Sequence, residues 1–216
     1  MKKSAIFILT LFSFVFVNAQ KGFYVGGILG IGQSSFASSS LENQSNKLFL
    51  GGGIRGIYQF NNYFGLEADG IITSKGTKAT GTTSGSLVGG PENFEETYDL
   101  LYAEIPFLAR IRVGAGDFYF KAFAGPSLNF NIDSRYSIDF ENSNNKDISN
   151  AKVNGIKVME TALVYGAGIE VNGASAGLYS LSVRFSTGMT DIGQTSRNNN
   201  NITNQYFAIC LGWTTN

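Results

Sequence analysis

Histidine is absent from the 216 residues and cysteine occurs once, at Cys210. The first absence removes the commonest general base, the usual zinc ligand and every Ser-His-Asp or Cys-His mechanism. A single cysteine cannot close an intramolecular disulfide. Charge is also scarce, at 15% of residues against about 25% in an average soluble domain. Because 16 basic residues balance 16 acidic ones, the chain carries no global field for gathering nucleic acid. Proline is nearly missing, with three residues, while glycine is abundant at 27. No triplet repeat accompanies that glycine, so neither collagen nor a Pro-rich linker fits, and one domain is the natural count.

Long apolar runs are missing too, with one exception at the start. Lys2 and Lys3 precede the uncharged stretch from Ala5 to Val17, and Val17-Asn18-Ala19 follows with small residues suited to cleavage. That pattern reads as a secretory signal peptide over residues 1–19, because thirteen uncharged residues fall short of the ~20 that a helix needs to cross a bilayer. Removing it leaves a domain over residues 20–216 with 14 basic and 16 acidic residues.

A mature chain without an apolar helix can span a membrane only as a closed β-barrel. Alternation with period two supports eight strands, at approximately 23–36, 47–60, 63–75, 98–113, 118–132, 157–172, 178–190 and 203–213. Short connections at Asn61-Asn62, Gly114–Asp117 and Gly173–Gly177 alternate with polar ones at 37–46, 76–97, 133–156 and 191–202. In an up-and-down barrel successive connections lie at opposite ends, so every long loop falls at one end, as in outer-membrane barrels. The expected fold is therefore all-β, an eight-stranded antiparallel up-and-down transmembrane barrel.

The two faces of each strand differ sharply. Leu48, Leu50, Ile54, Tyr58 and Phe60 oppose Arg55 and Gln59 in the second strand, and the fourth sets Leu101, Ala103, Ile105, Phe107, Ala109, Ile111 and Val113 against Glu104, Arg110 and Arg112. Glu67, Asp69, Lys121, Glu160, Glu170 and Arg184 fall on the same side as those charges. Five bases and five acids thus form a paired interior network, if the apolar faces meet lipid. A soluble lipocalin-like carrier of a small apolar ligand would reverse the faces. The aromatics favour the membrane orientation, since Phe23, Phe60, Phe64, Phe118, Tyr179 and Trp213 fall on the apolar face at the short-turn end, as an interfacial girdle.

Other motifs carry less. Gly51-Gly52-Gly53-Ile54-Arg55-Gly56 fits G-x-G-x-x-G, but it is mid-strand with no helix after it, so its glycines serve curvature and packing rather than a phosphate. Glu67, Asp69 and Glu104 on adjacent strands invite an acid-base reading, yet matched Arg and Lys point to structural ion pairs. Glu92, Glu95, Glu96 and Asp99 lack a diagnostic cation-binding spacing and read as a solvated loop. Cys210 shares the interior side with Tyr206 and Ala208, as a buried inert thiol. No catalytic residue, metal site or cofactor emerges; a lipid-modifying outer-membrane enzyme is the catalytic alternative, and it lacks the histidine such barrels use.

Tyr102-Ala103-Glu104-Ile105-Pro106-Phe107-Leu108 is similar to the Y-x-E-I-P-L-L of the PorT-type family of bacterial outer-membrane barrels. Ala124-Gly125-Pro126 resembles its A-G-P, and Arg184 through Ile192 (RFSTGMTDI) resembles its R-Y-x-x-G-L-x-D-I. The resemblance implies a non-enzymatic monomer in the outer membrane of a Gram-negative bacterium. Its partners would be outer-membrane lipid and the barrel-assembly machinery, with surface ligands or secretion components meeting the long loops, and no nucleic acid. Cell fractionation separates barrel from carrier: the barrel should need detergent for extraction and migrate differently on a gel before and after boiling, whereas a carrier would stay soluble and show one band.

Overall fold

The computed structural model describes residues 22–37, 44–82, 93–141, 147–153, 155–173, 177–193 and 202–215. The expected signal segment at 1–19 lies outside them. Nine strands occur among the described residues: β1 (Gly22–Ala37), β2 (Gln44–Gln59), β3 (Phe64–Thr82), β4 (Asn93–Ala115), β5 (Phe118–Phe140), β6 (Ile148–Lys152), β7 (Met159–Gly173), β8 (Gly177–Gly188) and β9 (Thr203–Thr215). Antiparallel pairing runs β4-β3-β2-β1-β9-β8-β7-β5, and β4 also pairs with β5. Eight strands therefore close on themselves, and β6 is annexed to the far half of β5.

Alternation puts Leu29 and Ile54 on the outer surface, 68% and 70% exposed, and Arg55 and Glu67 inside at 1% each. This polarity inverts that of a soluble barrel, whose core is apolar. The outward apolar run of β1, Phe23 to Ile31, spans nine residues, enough for a tilted strand to cross the ~30 Å hydrocarbon layer.

Three connections differ from the sequence expectation. Stretches 76–97 and 133–156 are in large part strand, because β3 runs to Thr82, β4 begins at Asn93, β5 continues to Phe140 and β6 follows. Residues 76–82 and 148–152 are rich in Ser, Thr, Gly and charge and carry little apolar alternation, while Tyr136, Ile138 and Phe140 do alternate but face inward, not toward lipid. The Asn61-Asn62 connection is also longer than a two-residue turn. Residues 60–63 lie between the strands; Asn61 Oδ1 accepts the Tyr63 and Phe64 amides at 2.8 and 2.9 Å, and the Phe60 amide reaches the Phe64 carbonyl at 2.9 Å.

The projecting ends of β3, β4, β5 and β6 form a sheet on one side of the barrel's long-loop end. A one-residue bulge marks where it begins, since Leu101 pairs with Asp133 and Tyr102 with Asn131, leaving Ile132 unmatched.

The glycine-rich stretch of β2 has no helix after it, and its glycines are used unequally. A Cβ on Gly53 would lie 2.0 Å from the Gly70 carbonyl oxygen, whereas one on Gly56 would meet nothing nearer than 3.8 Å. Gly53→Ala should therefore cost about 1–3 kcal/mol through forced separation of β2 and β3, and Gly56→Ala much less. Urea unfolding of the two variants from lipid vesicles checks this; equal costs would contradict it.

Candidate functional site: the lumen and its mouth

Inward alternation gathers the barrel's charges into a stack of three clusters. Nearest the short turns, Arg110 of β4 pairs with Glu170 of β7, and Lys121 of β5 lies 3.4 Å from the other Glu170 oxygen. Above them, Arg55 Nε donates to Asp69 Oδ1 at 2.9 Å and Arg55 Nη2 lies 2.8 Å from Glu67. Arg184 reaches across from β8 to Asp69 and lies 3.5 Å from Glu67. Nearest the mouth, Lys75 Nζ is 2.6 Å from Glu104 and 4.0 Å from Glu160, and 4.4 Å from the Tyr102 ring centre.

The ten charges expected inside are all buried, but they do not form one network. Glu67 and Asp69 share Arg55 and Arg184, while Glu104 belongs to a separate cluster. Arg112 stands apart at the short-turn end, donating Nε–H to the Asn62 carbonyl at 3.1 Å and lying 4.5 Å from the Tyr119 ring centre. Lys75 is an addition. It closes the odd-numbered series Glu67, Asp69, Ile71, Thr73, Lys75 on β3, so strict period two carried to the end of the strand finds it. With Lys75 the buried set is six bases and five acids.

Neutral side chains complete the clusters. Thr73 and Tyr206 hydroxyls donate to the two Glu104 oxygens at 3.0 and 3.1 Å, and Asn204 Nδ2 donates to Glu160 at 2.8 Å and to the Tyr102 hydroxyl at 3.2 Å. Apolar side chains fill the remainder: Ile28, Phe49, Ile71, Tyr206, Ala208 and Cys210 pack together, with Phe49 stacked on Tyr206 at 4.2 Å. Leu108, Phe123 and Val164 form a second apolar plug. Between these groups a cavity among the described residues, lined by Ile28, Phe49, Arg184 and Cys210, holds about 10 Å³, at most the room for a single water.

At the long-loop end the chain folds back over this filling. Ile192, at 1% exposure, packs with Phe36, Leu100 and Tyr102 across the mouth. Asp191 fastens it: Oδ1 accepts the Gly193 and Ile202 amides at 3.1 and 3.0 Å, and Oδ2 accepts Lys157 Nζ at 3.3 Å. Burial alone would raise this carboxyl, but those two amides and the Lys157 ammonium hold it below the usual aspartate range.

The six aromatics expected as a girdle, Phe23, Phe60, Phe64, Phe118, Tyr179 and Trp213, are all exposed on the outer face, and Tyr179 pairs with Trp213 across β8 and β9. Of the acids assigned to a solvated loop, Glu92 lies outside the described residues, and the others are on β4. Glu95 pairs with Lys78 at 2.6 Å, Asp99 with Lys47, and Glu96 accepts the Tyr98 hydroxyl at 2.7 Å.

A family model described as an outer membrane protein beta-barrel domain matches residues 18–194. Among solved structures the chain is similar to Neisserial surface protein A, at 14% identity over 88% of this chain and 96% of that one, TM-score 0.47. It is similar also to Ail, the attachment invasion locus protein of Yersinia pestis, at 14% identity over 89% and 98%, TM-score 0.39. A third is OprG from Pseudomonas aeruginosa, at 12% identity over 92% and 97%, TM-score 0.41. No curated protein sequence matches the chain.

The clusters differ in how much each depends on one cation. Lys75→Met leaves Glu104 and Glu160 without the lysine they share, and breaking a buried pair in this way costs about 3–5 kcal/mol. Arg110→Leu should cost less, because Lys121 remains beside Glu170. Adding Glu104→Gln and Glu160→Gln to Lys75→Met should restore most of the loss. Unfolding free energies in lipid vesicles test this order, and a silent Lys75→Met would contradict it.

Proposed function

Because the chain belongs to the outer membrane protein beta-barrel domain family, we propose that it works as a non-enzymatic, non-conducting barrel whose activity lies in its long-loop end. The observation that carries this reading is the filled lumen. Charged clusters alternate with apolar plugs along the axis, the cavity between them is about 10 Å³, and Ile192 covers the mouth. A passage for solutes would need several of these contacts to break together. Among the described residues the buried acids lie against buried bases, which supports a structural role for them over acid-base chemistry.

The remaining parts of the reading follow from the family and the asymmetry of the connections. Residues 1–19 are a signal peptide removed on export, residues 20–216 are the barrel, and the PorT-type motifs support membership of that branch. The three short turns face the periplasm and the long connections face outward, because outer-membrane barrels are built with that asymmetry. The chain is a monomer that meets lipid through its apolar outer face, is inserted by the barrel-assembly machinery, and serves adhesion or a secretion-accessory role through the outward end.

Two measurements test it. In planar bilayers the purified monomer should add no stable conductance; steady channels would overturn the plugged reading. An epitope inserted within 194–201 should bind antibody on intact cells, and one inserted at Gly116-Asp117 only after permeabilisation. The reverse pattern would overturn the orientation.

A further inference from the structure

The lumenal charges are divided unevenly along the barrel axis. Lys75 meets Glu104 and Glu160 at the mouth, whereas the half nearer the short turns buries Arg55, Arg110, Arg112, Lys121 and Arg184 against Glu67, Asp69 and Glu170. Five bases there face three acids among the described residues. Losing the Lys121 proton would remove one positive charge and no more, because an arginine does not deprotonate in proteins. Four arginines would still exceed three carboxylates.

The excess lies toward the short turns. Arg55 and Arg184 are matched by Glu67 and Asp69, which leaves Arg110, Arg112 and Lys121 to a single carboxylate, Glu170. Arg110 Nη2 takes one of its oxygens, and Lys121 Nζ lies 3.4 Å from the other. With Glu170 engaged on both sides, Arg110 Nε and Nη1 have no hydrogen-bond partner among the described residues, although the residue is only 1% exposed. Arg112 stands opposite Lys121 in the β4–β5 register, two residues from Arg110 on the same inward face. It gives its Nε–H to the Asn62 carbonyl rather than to an acid. Aromatic rings lie beside two of these cations, Phe123 at 5.5 Å from Lys121 and Tyr119 at 4.5 Å from Arg112, but a ring attracts a cation without cancelling its charge. On the side toward the mouth, Leu108, Phe123 and Val164 form an apolar plug.

We propose that Arg110, Arg112 and Lys121 hold a small inorganic anion between them, at the short-turn end of the lumen. Charge selects the class of ligand. A cluster of cations withdrawn from bulk water demands a counter-charge, and water can satisfy the unpartnered Arg110 N–H groups without supplying one. Size selects within the class. Between Phe49 and Arg184 the lumen packs down to a void of about 10 Å³, and packing of that closeness suits a monatomic ion such as chloride rather than a tetrahedral oxyanion or an organic acid. Entry is from the short-turn end, where Arg112 remains 4% exposed.

The site rests on the charges of the lumen and is independent of what the long-loop end does. Full-length protein in uncharged maltoside micelles is followed by chloride-35 NMR, in which the chloride line broadens when the ion exchanges onto a protein; empty micelles give the baseline. The broadening should exceed the baseline, saturate as chloride is raised, and be displaced by bromide but not by sulfate or gluconate at equal ionic strength. Arg112→Gln with Lys121→Met should abolish it. Lys47→Met with Lys78→Met, which removes as many cations from the projecting sheet, should leave it unchanged. Arg112→Gln alone, a milder change at the barrel's end, should weaken binding about tenfold, and it serves where the double variant does not refold. In phosphatidylcholine vesicles the urea midpoint should also rise when chloride replaces gluconate, as binding to the folded state alone requires. A line no broader than with empty micelles, equal broadening by the unaltered chain and Arg112→Gln, or a urea midpoint the same in both salts would overturn the site. Loss of the broadening in the Lys47 and Lys78 variant would overturn it too, by assigning the ion to the surface. Displacement by sulfate as effective as by bromide would overturn the monatomic occupant.

Discussion

A backbone amide surrounded by hydrocarbon has no water to bond, and every other feature of this protein follows from that constraint. An open sheet would leave two edges unpaired in the bilayer. The chain avoids this by pairing β1 with both β2 and β9, and β5 with both β4 and β7, so that eight strands have no edge within the ring. Closure at that number sets the diameter, and an eight-stranded barrel leaves room inside for side chains or one small ligand. What fills the lumen is thus decided by which residues alternate inward.

Those residues are charged to an extent that few soluble cores tolerate. Burying an ion is costly, and pairing returns that cost only where geometry and further hydrogen bonds are good. Asp69 and Glu104 meet the condition by sharing. Asp69 accepts from Arg55 and pairs with Arg184, and Glu104 takes Lys75, Thr73 and Tyr206 together. Large side chains then need space, which lumen-facing glycines provide: a Cβ on Gly166 would lie 2.5 Å from the Phe123 ring. The outer face needs no such fit, because lipid adapts to it.

The mouth links this interior to the projecting sheet. Tyr102 belongs to both, since its hydroxyl accepts Asn204 beside Glu160 and its ring packs under Ile192. From there upward the solvent outside changes from lipid to water, and the outward side chains change from Leu101 and Ile105 to Asp99 and Glu95. The bulge at Ile132 shifts the alternation of β5 at that level, which turns Tyr136, Ile138 and Phe140 inward.

Period two along a strand is a local property, and the sequence alone determined what depends on it. That Arg110 and Glu104 share a side opposite Ile105 and Phe107 follows from the spacing, as do the girdle aromatics and the confinement of short turns to one end. Three kinds of feature needed the tertiary structure. Which acid meets which base depends on closure, since Arg184 and Asp69 are 115 residues apart and come together only across the ring. The upper parts of β3, β4 and β5 were illegible as strands because the rule that marks a lipid-facing strand stops at the membrane surface. Ile192 lies in a polar connection, and its burial comes from Asp191 holding two backbone amides and Lys157, contacts that exist only once β7, β8 and β9 are side by side.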